Sequence, residues 1–290
     1  MYEYDKSSKW LIKHHGDSIL RLAGVEDIAS WTPLQAELVE PRQFPDGVLS
    51  ALESGQAEPD VYILEIASYP DARVPSQAVR DTALVLLERQ VLPEVLILFL
   101  REKGNVPAAG SVELQSRKGF TRLNLTWRAV KLWELPAEGL LAAGDVGLLP
   151  WVPLTQFDGP PEPIVSRCRA RIDQETAPPE RENLLTVTQF LLKLRYNETT
   201  LLERLRNLLG GRQAMILSPL YQEIVEEAKR EGSMEARQQD ILEILEDRFG
   251  PAANDLEVEL KAVPFDRLKE LIRFAGKCNS LAEFRERLLS

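Results

Sequence analysis

The stretch Pro45-Asp46-Gly47-Val48-Leu49-Ser50-Ala51-Leu52, followed after a polar interval by Asp60-Val61-Tyr62-Ile63-Leu64-Glu65-Ile66-Ala67-Ser68, decides the fold class of this 290-residue chain. Both halves are short and rich in apolar residues. The interval Glu53 to Pro59 between them carries the polar residues, glycine and proline that close strands. In the second half side chains alternate, so Val61, Ile63, Glu65 and Ala67 share one face while Tyr62, Leu64, Ile66 and Ser68 share the other. An acid in the middle of such a segment is costly to bury unless its charge is compensated. Asp46, nineteen residues before Glu65, offers a second carboxylate, and a divalent cation shared by the pair would supply the compensation. Each acid also has a plainer reading: Pro-Asp-Gly makes a turn unaided, and Glu65 can be an acid on the exposed face of an edge strand.

Outward from this stretch the pattern is strand, helix, strand. Upstream, Trp10, Leu11, Ile19, Leu20 and Leu22 predict a helix over Asp5 to Leu22, interrupted near His14-His15-Gly16-Asp17 and stopping at Gly24. Ala36 to Glu40 reads as a further strand, which makes an antiparallel meander with Gly47 to Leu52 and Asp60 to Ser68. Downstream, Pro75 and Ser76 open a helix through Gln90 with Val79, Ala83, Leu86 and Leu87 as its apolar stripe. Pro93 then precedes a β-rich run from Glu94 to Arg101, so the helix is a crossover. Ser111 to Arg117 and Arg122 to Leu135 predict a hairpin around Lys118-Gly119.

Pro150, Pro153, Pro160, Pro161 and Pro163 break helices and strands alike and predict a linker or an irregular wrap. From Ile164 onward the chain reads as helical. Its last unit carries the stripes Ile241, Leu242, Leu245, Phe249 and Leu268, Leu271, Ile272, Ala275, with a stop at Gly250-Pro251. Ser280-Leu281-Ala282-Glu283 fits a capping box that opens a final helix facing Leu281, Phe284 and Leu288 inward. The expected organisation is an α/β domain with a mixed sheet over residues 1–155, a helical linker region over 156–235 and a small helical domain over 236–290.

A 44% apolar composition is ample for a core. No apolar run approaches the roughly 18 to 20 residues that cross a bilayer, and the first residues lack a basic region followed by an apolar stretch, so a cytoplasmic location without a membrane is expected. Cys168 and Cys278 lie far apart without metal-ligand spacing and are expected as reduced thiols. The formal charge of −10 weighs against a protein that coats nucleic acid nonspecifically, yet leaves room for a local basic rim.

Pro45-Asp46, Glu65 and the position two residues beyond it resemble the PD-(D/E)XK nuclease superfamily. The wider chain is similar to the bacterial family of recombination-promoting nucleases or transposases. The likeness runs through Tyr4-Asp5, Ala36-Glu37-Leu38, Val74-Pro75, Val95 to Leu100 and Val130-Lys131-Leu132-Trp133-Glu134. In the tail, Arg248-Phe249-Gly250 and Ser280-Leu281 resemble a helical domain of unknown function fused to that family. The resemblance implies a restriction-endonuclease-like sheet flanked by helices, and magnesium-dependent hydrolysis of DNA phosphodiesters. It makes Asp46 and Glu65 the metal-holding acids, with Glu37 a further acid on the preceding strand.

The chain departs from the family at two places. Where the family shows Glu-x-Gln this chain has Glu65-Ile66-Ala67, and where an arginine stands early in the crossover helix it has Gln77. A methyl group orients no water. Either Gln77 or Arg80 supplies the polar group from the helix, with Gln77 the expected helper, or the fold persists as a binding or scaffold protein that self-associates as a homodimer through its helical tail. Other candidates read as structural. His14 and His15 would point about 100° apart on a helix and are expected in a solvated turn. Arg167, Arg169 and Arg171 read as a solvated face, and Trp127, Trp133 and Trp151 as packing.

Overall fold

Helix α1 (Tyr2–Leu22) leads into three antiparallel strands, β1 (Ile28–Leu34), β2 (Gly47–Glu53) and β3 (Asp60–Ala67), in the computed structural model. It describes residues 2–25, 27–34, 45–104, 108–116, 121–250, 256–261 and 263–289. The strand expected at Ala36 to Glu40 lies outside the described residues. Among the described residues the meander begins with Ile28–Leu34, with Trp31 opposite Ala51 and Leu34 opposite Val48. Its half-exposed pattern and Pro33 gave little strand signal, and both are tolerated because β1 is at the sheet edge.

Helix α2 (Val74–Arg89) then crosses over to β4 (Glu94–Phe99), which lies parallel to β3 with Glu65 beside Ile97. Gln90 takes the left-handed conformation (φ 59°) at the helix end and donates its N–H to Leu86 O. Next come β5 (Ser111–Gln115) and β6 (Arg122–Thr126), a separate two-stranded ribbon. The second arm of the expected hairpin does not run on to Leu135. It breaks at Trp127, which is buried and donates from Nε1 to Ala109 O at 2.8 Å. Beyond the break, β7 (Arg128–Lys131) joins the main sheet parallel to β4, giving the order β1-β2-β3-β4-β7.

The two sheet faces are covered differently. Gly47, Leu49 and Leu64 face α1, where a Cβ on Gly47 would sit 2.2 Å from Ile12 Cγ2, so the helix can lie this close only on glycine. Val48, Ile63, Val95, Ile97 and Phe99 face α2 through Ala78 and Val85. The stripe of α2 differs from the expected one. Ala78, Asp81, Thr82 and Val85 are buried, while Ala83, Leu86 and Leu87 are exposed, Leu87 by 70%.

The proline-rich window is a wrap rather than a solvated connector. Val146–Leu154 coils as a buried 3-10 segment, with Leu149, Trp151 and Val152 fully inaccessible. Its side chains are apolar throughout, and Pro150 and Pro153 bring no N–H that would need a partner once buried. The short α3 (Ala137–Ala142) precedes it, and α4 (Pro161–Glu175) and α5 (Glu180–Arg195) pack on it. Helix α5 is buried from Glu182 to Leu192, so it serves as the central strut of this helical layer. Then follow α6 (Thr199–Leu208), α7 (Gly211–Leu217) and the long α8 (Pro219–Phe249). By contacts the chain divides into two compact units, Met1–Tyr221 and Gln222–Ser290.

The second unit has its own core of Ile241, Leu245, Leu260, Leu268, Leu271 and Phe284, built from the C-terminal half of α8, α9 (Glu257–Lys261), α10 (Phe265–Ala275) and α11 (Leu281–Leu289). The predicted stripes meet in it. Ser280 Oγ accepts the Glu283 N–H at 3.2 Å, while the Glu283 carboxylate reaches the N–H of Asn279 at 2.7 Å, one residue further back than the capping box expects. Among the described residues no helix is long and apolar enough to cross a membrane.

Candidate active site

The parallel strands β3 and β4 end side by side, and the open space beyond their carboxyl ends is where α/β sheets commonly take ligands. A cavity of about 430 Å³ lies there, lined by Tyr4 and Ser8 of α1, Asp46, Glu65 to Ser68, Val74 and Gln77 of α2, and Ile97 and Leu100. Asp46 precedes β2 directly, and β2 runs antiparallel to β3 with Gly47 opposite Leu64. That register brings the aspartate beside the glutamate.

The two acids interlock through the backbone. Asp46 N–H donates to Glu65 Oε1 at 3.3 Å, and Ile66 N–H donates to Asp46 Oδ2 at 2.8 Å. From the helix, Gln77 Nε2 donates to Glu65 Oε2 at 2.7 Å. Asp46, Glu65 and Gln77 therefore lie together at the cavity. Glu37 lies outside the described residues. Arg80 is turned to its neighbour, with Nε 2.8 Å from Asp81 Oδ1. Ala67 lines the cavity with a methyl group.

Asp81 is the residue that sequence reasoning missed. It is fully buried, and among the described residues its Oδ2 finds no hydrogen-bond donor. The apolar stripe read from Val79, Ala83, Leu86 and Leu87 hid it, because that stripe places Asp81 on the outer side of α2. A signal was present: Gln77 and Asp81 are four apart, so both lie on one helix face, and a helix that exposes leucines to bury an acid breaks the local rule that functional sites commonly break.

Glu65 is 6% exposed and its carboxyl is held well above the ordinary carboxylate range. Burial is the main cause, followed by the negative charges of Asp46 and Asp81 and the hydrogen bond to Asp81; the Asp46 N–H pulls the other way. Three acids thus gather here, and Arg80 meets one of them, Asp81. Neighbouring carboxylates of this kind suit a divalent cation. Among the described residues no group of three or more His, Cys, Asp or Glu side chains is arranged to hold a metal ion. The residues that fit one are the Asp46 and Glu65 pair, which matches the coordination habit of Mg²⁺: one or two carboxylates, with waters and substrate phosphate completing the shell.

The remaining candidates resolve structurally. His15 sits at a break in α1 (φ −139°, ψ 36°), buried rather than in a solvated turn. Its Nε2 is 3.2 Å from Glu180 Oε1, and burial holds its pKa below the usual value. Arg167, Arg169 and Arg171 are matched by Glu138, Asp173 and Glu175. Cys168 is buried, which pushes its thiol up to about 12, and neither it nor Cys278 is in a disulfide. Comparison of the chain with family models, curated proteins and solved structures finds no match.

Proposed function

We propose that this chain is a metal-dependent endonuclease of the PD-(D/E)XK type, hydrolysing nucleic-acid phosphodiesters at the Asp46 and Glu65 site. The observation that carries this reading is the convergence of Asp46, Glu65 and Gln77 on one cavity at the carboxyl ends of β3 and β4. Asp46 and Glu65 would hold Mg²⁺. When bound, that ion supplies Lewis-acid polarisation of a phosphoryl oxygen and lowers the pKa of an attacking water.

The chain's own contributions follow from its contacts. Ile66 N–H fixes one oxygen of Asp46, and Gln77 fixes one oxygen of Glu65, so both carboxylates are oriented before a ligand arrives. Gln77 also brings the amide that the Ala67 position lacks. Apolar Ile66, Val74 and Ile97 in the cavity wall lower the local dielectric and strengthen each charge interaction.

The Ala67 methyl supports a second reading, a nuclease-fold binding or scaffold protein without hydrolysis. Nicking of supercoiled plasmid by purified protein in Mg²⁺ or Mn²⁺, with Asp46→Ala as control, separates the two. The endonuclease reading expects metal-dependent nicking lost in Asp46→Ala. Absence of nicking by the parent overturns it in favour of the scaffold, and equal nicking by both proteins traces the activity to a contaminant.

A further inference from the structure

Leu100 lines two hollows, the cavity of the candidate active site and a neighbouring cleft of about 430 Å³ bordered by Arg101, Lys103, Trp133, Phe157 and Arg195. The cleft is cationic and aromatic. Arg101 follows the end of β4 and lays its guanidinium over the Tyr69 ring at 5.3 Å; among the described residues its buried Nε has no hydrogen-bond partner. Arg195, at the end of α5, lies over the Phe157 ring at 4.5 Å and donates to the carbonyls of Pro153 and Thr155. Lys103 is exposed. The loop that carries Arg101 and Lys103 is held close: a Cβ on Gly104 would sit 2.2 Å from Pro70 O, so only glycine lets it lie against the turn after β3.

Among the described residues, no carboxylate lies within ion-pair distance of Arg101, Lys103 or Arg195, although exposed Glu102 borders the cleft. Five other arginines of this unit, Arg21, Arg167, Arg169, Arg171 and Arg181, each meet an acid. In a chain of net charge −10, a cleft that gathers three cations around one exposed acid is locally suited to an anion. Guanidinium groups match phosphate oxygens by paired donors, and aromatic rings take bases by stacking.

We propose that this cleft binds a nucleic-acid strand, with phosphates on Arg101, Lys103 and Arg195 and a base against Trp133. The proposal rests on the phosphodiesterase reading of the adjoining cavity for its choice of a polynucleotide over a small phosphate. The strand would run from the cleft past Leu100 to the paired acids.

The test is fluorescence anisotropy of labelled twelve-nucleotide DNA and RNA single strands with the full-length protein in EDTA, where no cleavage occurs. Arg101→Ala and Lys103→Ala should each weaken binding about fivefold or more, and the double variant further. Each lost phosphate contact should lower the slope of log K against log salt by about 0.7. Arg101→Lys should recover most of the affinity, whereas Lys261→Ala in the other unit should change nothing. Matching thermal melts tie the loss to the cleft. The DNA and RNA arms identify the preferred strand. A double variant that binds like the parent with the same salt slope, or a parent that binds neither strand, overturns the proposal. Plasmid nicking run alongside keeps the two readings apart. Nicking with cleft-independent binding removes the cleft and leaves the active site; cleft-dependent binding without nicking leaves the cleft and removes the endonuclease.

Discussion

Gln77 Nε2 stands 2.7 Å from Glu65 Oε2, so the crossover helix reaches down onto the strand it follows and fixes the orientation of a buried acid. A partner that orients a metal-holding carboxylate commonly accounts for a 10–100-fold effect when removed. Gln77→Ala should therefore lower the single-turnover nicking rate by about that factor. Equal rates for parent and variant would reduce Gln77 to a packing residue. Gln77 is only partly buried, so circular dichroism of the variant should stay that of the parent.

Ala67 lies two residues beyond Glu65, lines the same cavity and neighbours Phe99 on β4. The cavity has room for a long side chain. If the site hydrolyses phosphodiesters, Ala67→Lys would add a cation beside its acids and a donor to the phosphate, a contribution worth on the order of 10-fold or more in rate. Nicking should rise by at least that factor. A fall in rate with an unchanged melting temperature would show that the missing polar group is not what limits this site.

The raised pKa of Glu65 makes stability depend on pH in a defined direction. Below the ordinary carboxylate range, Glu65 is protonated in folded and unfolded chains alike and costs nothing. As pH rises, the unfolded chain ionises first, so the folded state loses stability until its own raised value is passed. The limiting slope is about 1.4 kcal/mol per pH unit. In EDTA, Glu65→Gln should be more stable than the parent at neutral pH by roughly 1–2 kcal/mol, with the difference vanishing near pH 4. Urea melts across pH measure it. A variant that is less stable at pH 7 would mean that Glu65 is ionised and compensated there.

A cation bound by the folded state alone must raise the melting temperature. At a concentration 100-fold above its dissociation constant it adds about 2.7 kcal/mol. Mg²⁺ should therefore shift the melt of the parent upward and leave those of Asp46→Asn and Glu65→Gln in place. Equal shifts in all three proteins would assign the effect to surface binding.

The meander, the crossover and the parallel return were legible because each rests on local signals: alternation in Asp60 to Ala67, proline at the head of α2, a short β-rich run after Pro93. The pairing of Asp46 with Glu65 was legible for the same reason, since the register of one hairpin brings them together. Asp81 was not, because helix phase is set by what the sheet presents, and Glu65 draws polar residues to the face that hydrophobicity alone would fill with leucine. The cleft cations were illegible too. Arg101 and Arg195 are 94 residues apart and border one cleft, α5 packing on the segment Val146–Leu154.

That segment is the most testable part of the helical layer. Trp151 is fully buried in it, and among the described residues its Nε1 has no hydrogen-bond partner, so its contribution is packing rather than polar. Truncating a large buried aromatic residue removes both its transfer free energy and the contacts around the void. Trp151→Ala should cost about 3–5 kcal/mol. Trp151→Phe keeps a ring and loses no bond, so its cost should be about 1–2 kcal/mol. Urea unfolding measures both. A Trp151→Phe cost as large as that of Trp151→Ala would show that the indole N–H has a partner, an ordered water for instance, and that polar satisfaction holds the wrap in place.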